Sequence, residues 1–151
     1  MKLAAALQLR AELQNKSDSL QKRICDNLRV QQGELPLEDP QELLKELLQV
    51  NNSLADLIGR INMKNNQVTL PDGRLLAQAL IQRDSIMKKR KILAAIADSA
   101  FGREIRMPRV IDVKMTVTLS MHDLHAQIDD LSRQFREVDN TIQSVNWSTE
   151  L

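Results

Sequence analysis

Aromatic residues are nearly missing: Phe101, Phe135 and Trp147 make up 2% of the chain, and there is no tyrosine. That shortage argues against a base-stacking platform for single-stranded nucleic acid. It leaves Leu, Ile, Val and Ala to pack the interior, which suits helix-on-helix contact. Only four Gly and four Pro interrupt 151 residues, so long elements are expected. One cysteine, Cys25, excludes an intrachain disulfide and fits a reducing compartment. No run reaches the roughly 18 consecutive apolar residues of a transmembrane helix. The apolar stretch after Lys2 is too short for a secretory leader, so a cytoplasmic location is the expectation. Charge of one sign is also lacking. The 21 Lys and Arg against 20 Asp and Glu leave a net +1, which argues against nucleic acid held by bulk electrostatics.

What the chain has is periodicity. Leu3, Leu7, Leu13, Leu20, Ile24 and Leu28 fall near a 3.5-residue repeat and predict a helix over 2–32. Arg10 and Ser17 intrude on that stripe, as polar residues do when they weaken a seam or fix its register. A loop follows from Gly33 to Pro40. Asp39, Pro40 and Glu42 make a good helix start, and the second helix is expected over 40–64. Its stripe is Leu43, Leu47, Val50, Leu54, Leu57 and Ile61. Leu44, Leu48 and Ile58 widen it, predicting burial on more than one side. The first two helices should form an antiparallel hairpin.

Val68-Thr69-Leu70 reads as a short strand before the turn residues Pro71-Asp72-Gly73, with Asp72 as cap of a third helix over 74–98. The last helix, 121–145, is capped by Ser120. It carries the most regular seam of all: Leu124, Ile128, Leu131, Phe135, Val138, Ile142 and Val145. At about 25 residues it would run roughly 37 Å. Trp147 beyond it is a candidate anchor for the C-terminus.

Between the third and fourth helices the period changes. Ile105, Met107, Ile111, Val113, Met115, Val117 and Leu119 alternate with mostly polar residues, which predicts a strand or hairpin over 104–119. Pro108 bends or divides it. One long strand cannot stand alone in water, and an unprotected edge invites aggregation. Pairing with the same segment of other subunits resolves both problems. The chain therefore reads as a single, mainly α domain over 1–151. Four long helices form two helical hairpins, and a minor β element pairs between subunits of a homo-oligomer. The expected interface residues are Ile111, Val113, Met115, Val117, Leu124, Ile128, Leu131 and Phe135.

Chemistry-bearing groups are few. No Walker-type loop, HExxH or Ser–His–Asp order is present, so neither catalysis nor a cofactor is expected. His122, His125 and Asp129 share one helix face and are weak metal candidates; a polar surface explains them as well. The basic run Lys88-Lys89-Arg90-Lys91 lies within about one helical turn, so its charges spread around the axis rather than forming a phosphate-binding face. Arg60, Asn62, Asn65, Asp72, Arg83 and Asp84 form a polar group near the second and third helices. They could line a small pocket, or simply build caps, turns and ion pairs. Cys25 reads as a small core or interface residue rather than a reactive thiol.

Several segments are similar to a known family. They are Met1-Lys2-Leu3-Ala4 with Ala6-Leu7, Arg10-Ala11 and Leu13-Gln14; Arg60-Ile61-Asn62 with Asn65; Thr69-Leu70-Pro71-Asp72-Gly73-Arg74 with Leu76, Ala79-Leu80 and Arg83-Asp84; and Asn146-Trp147 with Thr149-Glu150-Leu151. In order, and over nearly the whole chain, they resemble the septicolysin-like bacterial family. The resemblance implies a small, helix-rich protein forming higher homo-oligomers, with hexamers suggested. The family name implies a thiol-dependent, pore-forming cytolysin. No catalytic or metal-binding residue carries over, and Cys25 matches none of these segments.

The expected function is thus a homo-oligomeric structural or interaction protein with no nucleic-acid partner and no stable membrane insertion in its soluble form. A pore-forming protein is the alternative, and a small-ligand binder using Asn62, Asp72 and Arg83 is the second alternative.

Overall fold

A computed structural model describes residues 1–102 and 116–151. It contains four helices: α1 (Leu3–Asn27), α2 (Pro40–Asn65), α3 (Leu76–Gly102) and α4 (Met121–Ser148). Among the described residues there is no strand, only two isolated antiparallel bridges, Lys2 with Glu150 and Thr69 with Leu75. Most of the 104–119 segment lies outside the described residues. Its last part, 116–119, is irregular backbone with Val117 and Leu119 exposed.

Local chemistry sets the helix ends. At α2, the Asp39 carboxylate accepts the Gln41 amide at 2.8 Å and Pro40 occupies the first turn, where its missing N–H costs nothing. At α4, Ser120 Oγ accepts the Asp123 amide at 3.3 Å. The first helix stops at Asn27, five residues before the expected end at 32. The Asn27 side chain donates to the Arg23 carbonyl at 2.9 Å and accepts the Glu38 amide at 3.1 Å, so it turns the chain instead of continuing it. Arg23 adds a two-pronged ion pair to Glu38. Leu28, expected on the buried stripe, is consequently 64% exposed.

The short strand expected at 68–70 is reduced to one side of a tight hairpin. Leu70 N–H donates to the Arg74 carbonyl at 2.8 Å, Gly73 N–H to Leu70 at 3.0 Å, and Leu76 N–H to Val68 at 2.8 Å. Pro71 and Asp72 form the turn, and Gly73 follows at φ +86°, a left-handed conformation that suits glycine. Asp72 caps this turn, through the Arg74 amide at 3.0 Å, rather than the helix. Residues 74 and 75 are therefore spent on the hairpin, and α3 begins at Leu76 rather than 74. A methyl group on Gly73 would meet no described residue within 4 Å beyond its chain neighbours. Gly73→Ala should therefore cost only the backbone term, roughly 1–2 kcal/mol. The check is the denaturant midpoint; an unchanged midpoint contradicts the turn assignment.

The chain divides into two compact units: 1–77 with 143–151, and 78–142. In the first, α1 and α2 pack antiparallel. Leu20, Leu43 and Val50 form the buried centre, flanked by Leu13, Ile24 and Leu47. Lys16 pairs with Glu46 at 2.8 Å, and the intruding Ser17 donates to Asn51 Oδ1 at 3.2 Å. So Ser17 sets register, as a polar residue in a seam can. The chain ends also meet here. Leu3 N–H donates to Thr149 and Leu151 N–H to Met1, each at 2.9 Å. Trp147, the expected anchor, is 65% exposed; these main-chain bonds and the charges around Glu150 hold the C-terminus instead.

In the second unit α3 runs antiparallel to α4. Arg83 Nη1 lies 3.4 Å from Asp139, and Arg90 Nε donates to Ser132 Oγ at 2.8 Å. Ala79, Ile86 and Ala97 of α3 are buried, while Arg83, Arg90 and Leu93 are half-buried between them. These positions follow steps of three and four. Two arginines therefore sit a heptad apart within the α3 seam.

Candidate functional site

In the first unit, the members of the proposed polar group have local duties. Asp72 is bound by its neighbour Arg74 through backbone and guanidinium, which holds its carboxyl below the usual carboxylate range. The Asn62 carbonyl accepts both the backbone and side-chain N–H of Asn66, closing α2. Arg60 and Asn62 are exposed, and Asn65 is half-buried. In the second unit, Arg83 bonds Asp84 at 3.0 Å, as expected, and also reaches Asp139. Every bond just named is a turn, cap or register contact.

The His122 ring is 93% exposed and turns to its neighbour Asp123 at 3.2 Å. His125 and Asp129 are exposed on the same helix. Among the described residues, no three His, Cys, Asp or Glu side chains gather as a metal ion requires. Of the basic run, Lys88, Lys89 and Lys91 are exposed, while Arg90 turns inward to Ser132. Cys25, read as a core or interface residue, is exposed within the chain.

Several ionic contacts have no motif in the sequence. One is the clasp at the chain ends, where Lys2 Nζ lies 2.8 Å and the Met1 ammonium 3.0 Å from the Glu150 carboxylate. Lys2 first, then the ammonium, lowers the Glu150 carboxyl from about 4.5 to about 2. A depressed folded-state pKa means the contact contributes fully above about 4.5 and fades as pH falls toward 2. Nuclear magnetic resonance titration of Glu150 should place its midpoint near 2 and move it toward the ordinary value in Lys2→Ala. A midpoint unaffected by Lys2→Ala contradicts the clasp. The heptad phase of Arg83 and Arg90 was recoverable from spacing, since they share the position of Leu76 and Ala97; their partners on α4 were not.

Apolar surface is the other feature. The middle of the α4 seam (Ile128, Leu131, Phe135 and Val138) is only half-buried. Leu131 lies in a shallow depression bounded by Lys89, Ala126, Gln127 and Asp130. On α2, Leu44 and Leu48, expected on a second buried side, are 48% and 58% exposed. Leu37 is 99% exposed just before the same helix.

These features define a helical protein of two antiparallel hairpins, with half-exposed or exposed apolar side chains on α2 and α4 among the described residues. Residues 10–151 match a family of unknown function (DUF6847), and the chain belongs to that family. It is also similar to a crystal structure described as a functionally unknown conserved protein from Corynebacterium diphtheriae. The two are 35% identical, the match covers 100% of this chain and 98% of that one, and the TM-score is 0.91. No curated protein matches.

Proposed function

We propose that the protein acts as a homo-oligomeric structural or interaction protein, its helix faces completed by other copies of itself. The observation that carries this reading is the α4 seam. It is the most regular heptad pattern in the chain, yet four of its central side chains are left half-exposed. A sustained a/d seam is selected for contact along its whole length. The partly open Leu131 depression and the exposed Leu44 and Leu48 support it further. In this reading the 104–119 segment pairs between subunits through Ile111, Val113 and Met115. Its alternating pattern, and the unpaired edge that a lone strand there would leave, supply the motive. Light scattering on the eluting protein tests the reading. A mass that is a multiple of 17.2 kDa is expected, and a 17.2 kDa species contradicts it.

A second reading, a septicolysin-like membrane-active protein, rests on the family resemblance and on the same alternating segment, which has the apolar-out, polar-in pattern of barrel strands. Among the described residues, no helix is long and apolar enough to cross a membrane. The 104–119 segment would therefore have to insert. Dye release from liposomes under reducing and oxidising conditions separates the readings, because the first expects none.

A further inference from the structure

Two faces of α2 remain open after the Leu43, Val50, Leu57 and Ile61 side is buried. One carries Leu44 and Leu48, then Ala55 and Gly59, all exposed, with Met63 beyond them at 61%. The adjoining face carries Glu42, Lys45, Gln49, Asn52, Asp56 and Arg60, also all exposed. None of those four charges forms an ion pair with another described residue; α1 pairs with Glu46 of α2 and with Glu38 just before it instead.

The charged face reads minus, plus, neutral, neutral, minus, plus. Read backwards, every sign is reversed and the neutral pair falls on itself. Laid antiparallel on a copy of itself, it places Glu42 opposite the partner's Arg60 and Lys45 opposite the partner's Asp56, and the two-fold axis repeats both pairs. In antiparallel helix pairs the same flank of each helix meets, so one self-complementary flank is sufficient. The apolar face matches within one to two residues of that register. Leu44 lies opposite the partner's Gly59, and Leu48 opposite the partner's Ala55, large against small along about 22 Å of helix. Gly59 gains an explanation from this. A glycine inside a helix costs roughly 0.5–1 kcal/mol relative to alanine, and outside its own helix backbone no described residue lies within 4 Å of where its Cβ would be.

We infer that α2 is a docking surface for α2 of a second copy, packed antiparallel about a two-fold axis near Asn51 and Asn52. The inference rests on the homo-oligomer reading and names one of its interfaces.

Sedimentation equilibrium on the full chain tests it with charge reversals. Lys45→Glu, or Asp56→Lys, sets like charges together twice per dimer and should weaken association by roughly tenfold. The double reversal Lys45→Glu with Asp56→Lys should restore it. Within one chain these two residues are about 16 Å apart along the helix, so recovery can arise only between copies. Gly59→Leu should also weaken association, while the thermal midpoint of the separated chain stays level or rises, because leucine is the better helix former. The pairing stands only if both reversals weaken association, the double reversal restores it and Gly59→Leu dissociates the copies; any other combination in an oligomeric wild type overturns it and leaves the homo-oligomer reading intact. A monomeric wild type overturns both.

Discussion

Leu20→Ala should lower the unfolding free energy by about 2–5 kcal/mol. Leu20 is 1% exposed and sits between Leu43 and Val50, with Leu13, Ile24 and Leu47 around it. Removing its isobutyl group loses the transfer free energy of the buried carbons and leaves a cavity. Two long helices packed on each other cannot collapse into that cavity without losing the Lys16–Glu46 and Ser17–Asn51 register. With so few aromatic residues, this cluster has no large ring to take up the slack. Leu28→Ala is the matched control. Leu28 lies beyond the end of α1 at 64% exposure, so the same truncation should change stability by less than about 0.5 kcal/mol. Chemical denaturation at one fixed protein concentration measures both, because assembly makes stability concentration-dependent. Equal effects at the two positions contradict the observed end of α1.

Leu131→Glu should dissociate the assembly and leave the helices intact. Leu131 occupies the centre of the α4 seam and is half-open to solvent, in a depression beside Lys89 and Asp130. In a single chain a glutamate there can turn its carboxylate to water or toward Lys89. In an assembly that covers the seam, the carboxylate is desolvated without a built partner. The loss is of the size seen at central interface residues, about 2–4 kcal/mol, or roughly thirtyfold or more in association. Circular dichroism should report retained helix while light scattering reports a smaller mass. A full-size assembly means that the seam middle is not an interface.

The helices were legible because their signals are local. Asp39-Pro40 and Ser120 satisfy orphan amides within three residues of themselves, so those two helix starts could be placed correctly from sequence. The C-terminal end of α1 and the start of α3 could not. They depend on Asn27 meeting Glu38 across a loop, and on Asp72 being recruited by Arg74 before it can cap a helix. Such competition is settled by which partner the fold places within reach, not by residue type alone. Leu44 and Leu48 were legible as apolar but not as uncovered, since periodicity shows that a stripe wants burial and not who supplies it.

The polar contacts divide in the same way. Arg83 with Asp84 follows from adjacency. Arg83 with Asp139 and Arg90 with Ser132 required the antiparallel pairing of α3 and α4. Once that pairing is known, both arginines fall into the heptad phase and fix the register of the second hairpin. The Lys2–Glu150 clasp joins opposite ends of the sequence, so no local pattern announces it.

Coverage of the half-exposed apolar faces of α2 and α4 is what assembly with other copies would supply. Sedimentation equilibrium of the wild-type chain at micromolar concentration tests it directly. A discrete mass at a whole multiple of 17.2 kDa, stable on dilution, is predicted. A single species of 17.2 kDa across the concentration range contradicts it.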